Sequence, residues 1–293
     1  MHLRDDGTSW DSTLRARAAR EHQQQLANKL KPLGRTPCGR QFATILRELR
    51  FHVSSKEAMG RVVRWLARAK EAGSVIFAIV CPDYATRQTG NPAQPVEYTF
   101  DGLGGGIGLV AGRVAEALPA LHRFGVEAEL NTRFVVAIAD YEASEENCRR
   151  VGLSREEFLA RLRLSQECFR QAVAEIPDDR ISTPFLSEVG DWERALGAAE
   201  HRVRDGAVAE SLIRGAARAR HAFYERWSGR RMRPEEAVRM VREQIPAYLA
   251  AGALATHTFD NPLLVGGDSL IMEPFIREGS DCAVLYLDRP RYD

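Results

Sequence analysis

A chain of 293 residues is long enough for one large α/β domain or two small ones. With 44% hydrophobic and 28% charged residues it has the make-up of an ordinary soluble globular protein, and no apolar run approaches the roughly 18–20 residues that a membrane helix needs. The net charge of +1 excludes a uniformly basic or acidic molecule, yet the charge is divided: residues 1–75 carry 15 Lys and Arg against 7 Asp and Glu, and residues 76–145 carry 4 against 9.

The division continues downstream, with 11 against 7 over residues 200–245 and 3 against 7 over residues 246–293. The basic segments are helical in pattern. They fit a face that meets a phosphorylated substrate or RNA, and equally a solvated face. The start, Met1-His-Leu-Arg-Asp-Asp, has no apolar core of a secretory signal, so a cytoplasmic location is expected. The five cysteines (Cys38, Cys81, Cys148, Cys168 and Cys282) are scattered without a CxxC pair. That argues against a disulfide scaffold or a structural zinc site.

In chain order, Asp11 to Leu30 reads as one amphipathic helix, an arm or part of a contact between two copies, and Pro32 and Gly34 close it. Gln41 to Phe51 is a second helix or an extended piece. We set residues 1–53 apart as an N-terminal helical arm and read 54–293 as one domain. Ser54 and Ser55 cap a helix over Lys56–Ala72, whose apolar positions Val62, Val63, Leu66 and Ala69 share one face and which Gly73 ends. Val75 to Val80 is a buried strand that stops at Cys81-Pro82-Asp83-Tyr84. Residues 85–97 hold two prolines, a glycine and an asparagine, which predicts an irregular loop. Gly102-x-Gly104-Gly105-Gly106-x-Gly108 then opens a helix from about Ile107 to Phe124, with a kink or early end at Pro119. Arg133 to Ala139 is a second buried strand, stopping at Asp140-Tyr141-Glu142.

Further on, Ser154-Arg-Glu-Glu157 is a capping box, and Phe158, Leu162, Cys168 and Phe169 fit the buried face of its helix. Arg180 to Phe185 predicts a short strand. Helices follow at Asp191–Val203 and Ala207–Trp227, and another opens at Pro234, runs into Pro246 and resumes to Leu254. Asn261 to Ser269 reads as a strand leaving at a polar turn, and Cys282 to Leu287 as a last strand. Apolar runs alternating with helices predict an α/β fold: a Rossmann-like, mainly parallel sheet flanked by helices, with extra N-terminal helices.

Strand C-terminal ends are where open α/β sheets bind ligands. If the two long strands are parallel neighbours, Cys81, Asp83 and Tyr84 lie near Asp140, Tyr141 and Glu142, and Asp268 joins them from the strand ending at Gly266-Gly267. Carboxylates, phenols and a thiol together suit general acid–base work or an amine-binding pocket; the competing reading has Asp83 and Asp140 capping turns and Cys81 inert. Asp83, Asp140, Glu142, Cys81 and Asp268 are the candidate catalytic residues, and Tyr84, Arg87, Tyr98, Gly104, Gly105, Gly106, Tyr141 and His257 the candidate substrate contacts. The glycine run fits either an anion held at the helix N-terminus or a structural turn. It does not follow a strand directly, so it is no dinucleotide fingerprint, and there is no phosphate-loop Gly-Lys-Ser/Thr. No cofactor is expected, and no spacing signals a metal. Arg214, Arg218, Arg220, Arg230 and Arg231, interleaved with Tyr224 and Trp227, form a candidate RNA grip or a solvated helix face.

The order of parts resembles the isocyanide synthases of pyoverdine and dityrosine biosynthesis. The likeness is carried by Cys81-Pro82, the Gly104 to Ala111 turn, Ala139-Asp140 and the later Phe259-Asp-Asn-Pro-Leu-Leu-Val-Gly-Gly-Asp-Ser269. Where that family has a lysine after the first strand, this chain has Asp83-Tyr84-Ala85. The resemblance implies a transferase-type enzyme of specialised metabolism that turns an amino acid's amine into an isonitrile with a sugar phosphate. A second resemblance, to the cyclodipeptide synthases, rests on the basic helices and Glu243 to Ser269; it implies peptide-bond formation from charged tRNA. A non-catalytic nucleotide- or RNA-binding protein on the same fold is the third expectation.

Overall fold

The computed structural model describes residues 24, 27–49, 51–53, 55–81, 85–88, 96–99, 109–143, 145, 148, 153–228, 233–266, 273–280 and 282–287. Six strands form the main sheet: β1 (Phe51–His52), β2 (Ser74–Cys81), β5 (Asn131–Ile138), β6 (Ile181–Ser182), β7 (Pro262–Gly266) and β8 (Ala283–Leu287). Two more, β3 (Ala85–Gln88) and β4 (Val96–Thr99), pair antiparallel as a separate hairpin. The helices are α1 (Pro37–Glu48), α2 (Lys56–Ala72), α3 (Leu109–Glu127), α4 (Arg155–Ala172), α5 (Trp192–Arg204), α6 (Glu210–Ser228), α7 (Pro234–Thr258) and α8 (Glu273–Gly279).

The strand order is β1-β8-β7-β2-β5-β6. All neighbours from β8 to β6 run parallel, and β1 alone pairs antiparallel, with β8. The five parallel strands make a Rossmann-like sheet, as the alternation of apolar runs and helices predicts. The chain steps outward from β2 to β5 and β6, then returns past β2 to lay down β7 and β8. That reversal puts the connecting helices on both faces. On one face Phe77, Phe134, Val136, Leu263, Val265 and Leu285 meet α1, α2, α3 and α4 in one apolar cluster. On the other, Ala137 meets α5, α6 and α7, while Ala78, Leu264, Val284 and Tyr286 meet Ala255 of α7 and Cys282.

Local signals explain the helix bounds. Ser55 Oγ accepts from the Ala58 N–H at 3.1 Å, and Gly73 closes α2 in the left-handed conformation at φ 66°. Ser154 and Glu157 make the expected capping box at α4. Its buried face carries Phe158, Leu162 and Phe169.

Three expectations need correction. Residues 85–97, read as an irregular loop, contain β3 and the start of β4; cross-strand pairing outweighs the turn-forming composition, whose residues 89–95 lie outside the described ones. Pro119 does not end α3, which continues to Glu127 because Leu118, Leu121 and Phe124 anchor it in the core on both sides of the proline. Pro246 likewise sits inside an unbroken α7. The stretch Gln41–Phe51 resolves into helix α1 followed by β1. Of Asp11 to Leu30, only residue 24 and residues 27–30 are described, and these are helical.

The segment before residue 54 packs into the main core. Phe42 lies 5.4 Å from the Trp65 ring and 4.9 Å from Phe124, and the rings continue from Trp65 to Phe77 and Phe134. Trp65 also donates its Nε1–H to the Asn261 carbonyl at 3.0 Å, tying α2 to the start of β7. Among the described residues no helix is long and apolar enough to cross a membrane.

Candidate functional site

Parallel pairing fixes which residues share an edge. Cys81 is level with Ile138, and Val80 with Gly266. The C-terminal ends of β2, β5 and β7 therefore lie side by side, with β2 in the middle. The reversal of strand order falls between β2 and β7, and crevices form at such switch points. The sequence reading paired β2 with β5, which holds. It did not foresee β7 as the other neighbour, so the switch lies beside Gly266 rather than beside Ile138.

Beyond these strand ends the chain continues as Pro82-Asp83-Tyr84, Ala139-Asp140-Tyr141-Glu142 and Gly267-Asp268-Ser269. Asp83, Tyr84 and Asp268 lie outside the described residues, as do Gly104, Gly105, Gly106, Arg230 and Arg231. Cys81 ends β2, Arg87 belongs to β3, Tyr98 to β4 and Glu142 to a 3-10 turn, Asp140–Glu142.

Asp140 opens that turn with a defined task. Its Oδ1 accepts from the Ser187 N–H at 3.1 Å, and its Oδ2 accepts from the Ser187 hydroxyl. Ser187 belongs to the 3-10 turn Leu186–Glu188 that follows β6. The carboxylate thus staples the C-terminal turn of β5 to that of β6. Next to it the Tyr141 ring stacks on Trp192, centroids 6.0 Å apart and planes 25° apart. Trp192 is buried at the first residue of α5, whose N-cap Asp191 accepts from Arg194 N–H at 3.3 Å. Ser187 and Trp192 are the residues that sequence reasoning missed. The only signal for Trp192 was its place directly after a capping Asp.

His257 belongs elsewhere. It is exposed on the last turn of α7, which ends at Thr258, and β7 begins at Pro262. A helix returning to a parallel strand delivers its end at the strand's start, so His257 lies at the N-terminal edge of the sheet, opposite Asp140. His257, named from the sequence as a substrate contact, is thus set at the edge opposite the strand ends that precede the other candidates.

The basic helix is α6. Arg214 pairs with Glu210 at 3.2 Å, and Glu210 also holds Arg242 of α7 at 2.7 Å. Arg218 is exposed, and Arg220 is half-buried with its Nε enclosed and unpartnered among the described residues. Arg214 of α6 and Arg242 of α7 thus converge on one carboxylate, which lowers the positive potential a polyanion would meet there.

No group of three or more His, Cys, Asp or Glu positioned to hold a metal occurs among the described residues. A groove of about 560 Å³ lies away from the strand ends, between the end of α4 and β6. No known protein family, no curated protein and no solved structure matches this chain.

Proposed function

We propose that the protein is an enzyme of specialised metabolism that acts on an amino acid, holding the substrate's ammonium group in the crevice where the strand order reverses. One observation carries this reading: β2, β5 and β7 end side by side, and the stretches that follow them in sequence, Pro82-Asp83-Tyr84, Ala139-Asp140-Tyr141-Glu142 and Gly267-Asp268-Ser269, hold four carboxylates and no Lys or Arg. An acid-rich crevice attracts a cation and repels phosphate, which favours an amine-bearing substrate over a dinucleotide. Asp83, two residues past the end of β2, and Asp268, two residues past the end of β7, are the residues assigned to the amine. Cys81 at the end of β2 is the nucleophile candidate, and Asp140 fixes the turn after β5, the other neighbour of β2. The isocyanide-synthase resemblance supplies the transferase chemistry of the proposal.

Calorimetric titration of the twenty common amino acids into the purified protein tests it. At least one is expected to bind, and Asp83→Asn together with Asp268→Asn is expected to weaken that binding about tenfold or more. If none binds, or if the double variant binds equally well, the reading fails. Retention of charged tRNA on the protein at low salt, with no free amino acid bound, would move the assignment to a tRNA-dependent reaction.

A further inference from the structure

The outer edge of the sheet at β6 is only partly sealed. Ile138 donates its N–H to the Pro184 carbonyl at 2.9 Å, so Pro184 and Ser182 face β5. Alternation along the strand turns the main-chain groups of Ile181, Thr183 and Phe185 away from the sheet. Both groups of Phe185 are satisfied within its own turn: its N–H donates to Glu188 Oε2 at 2.9 Å, and its carbonyl accepts from Glu188 N–H at 3.0 Å. The Thr183 carbonyl accepts from the Gln166 side-chain amide of α4, and the Thr183 hydroxyl accepts from Arg170 Nε at 2.6 Å. Among the described residues the Ile181 N–H and carbonyl and the Thr183 N–H have no hydrogen-bond partner, and both residues line the 560 Å³ groove.

The groove has an apolar floor of Val173, Ala174, Ile176 and Pro184 and charges of opposite sign. Arg170 lies at the Thr183 end, only loosely engaged by Glu167 at 4.0 Å. Asp178 lies at the end from which β6 starts. We propose that this groove binds the C-terminal end of a partner polypeptide, added as a short strand parallel to β6. Main-chain pairing at Ile181 gives the extended geometry. Gln166 stops the pairing at Thr183, where a chain that ends meets no obstacle. Arg170 takes the terminal carboxylate, Asp178 takes a basic residue about three positions earlier, and an aliphatic last side chain lies on the floor. The site is separate from the strand-end crevice, so its fate does not depend on the proposed reaction.

The test uses a pool of acetylated tetrapeptides with lysine first and Val, Leu or Ile last, and a twin pool with amidated C-termini. Hydrogen exchange of the full-length protein is read at residues 181–183. The free-carboxylate pool is expected to slow exchange there, and the amidated pool to need about tenfold more peptide for the same protection. Arg170→Gln is expected to abolish that difference and Asp178→Asn to weaken the lysine-bearing peptides, with circular dichroism checking that both variants fold. Equal protection by both pools overturns the carboxylate assignment. No protection at millimolar peptide overturns the site.

Discussion

Asp140 shows how one carboxylate serves structure at a position where chemistry was expected. It accepts two hydrogen bonds from Ser187 and so spans the turns after β5 and β6. Asp140→Ala removes both acceptors and is expected to cost about 1–2 kcal/mol, read as a lower midpoint in thermal unfolding. Asp140→Asn keeps an acceptor for the Ser187 N–H and places an amide donor beside the hydroxyl, so its cost should be well under that of the alanine variant. The pair of variants separates strut from chemistry. If the asparagine variant unfolds like the wild type and yet loses amino-acid binding, the charge itself acts on the ligand. If binding falls only as far as stability does, Asp140 is a strut. Nothing local in the sequence distinguishes these roles, because Ser187 stands 47 residues away and its contact depends on β6 lying beside β5.

The elements vary in how openly the sequence declares them. The α4 cap was legible because all its parts lie within four residues. The Ser154 N–H and hydroxyl both donate to the Glu157 carboxylate and hold it below its ordinary titration range. A carboxyl lowered by folding adds stability above its unfolded value, and loses that contribution as the pH falls through its folded value. Ser154→Ala is therefore expected to lower the unfolding midpoint by about 2 °C at neutral pH, and the gap from wild type should narrow as the solution is acidified below the carboxylate range. The contact between α7 and α8 was not legible. A Cβ at Gly252 would stand 2.4 Å from the Ile276 carbonyl oxygen, so the glycine lets two helices touch backbone to backbone. Gly252→Ala is expected to cost about 2–3 kcal/mol, although alanine is the better helix former; unchanged thermal unfolding would show that α8 yields instead. The β3–β4 hairpin escaped for the opposite reason: its composition reads as loop, and only its cross-strand partners reveal it.

At the scale of the whole molecule, what the sequence withheld was strand order. Each long strand was visible as an apolar run, but β7 reaches β2 from about 180 residues downstream, and that neighbour decides where the crevice lies. The N-terminal segment poses the same question in another form. Polar composition sets residues 1–53 apart, yet β1 extends the sheet beyond β8, and Leu33, Phe42, Leu46 and Phe51 share a cluster with Phe77 and Phe134. Burying each of those four side chains contributes about 1.5–3 kcal/mol, and together they approach the net stability of a typical domain. A chain beginning at residue 54 would expose Trp65 and Phe124, which Phe42 now covers, and would leave β8 as a bare edge of the sheet. Such a chain is expected to aggregate or to unfold without a cooperative transition, while the full-length protein unfolds in a single step that takes the near-ultraviolet signal of Trp65 with it. A truncated protein that stays soluble and melts within a few degrees of the full chain would show that the segment is an appendage, and that the ring stack running from Phe42 to Phe134 contributes little to holding the sheet together.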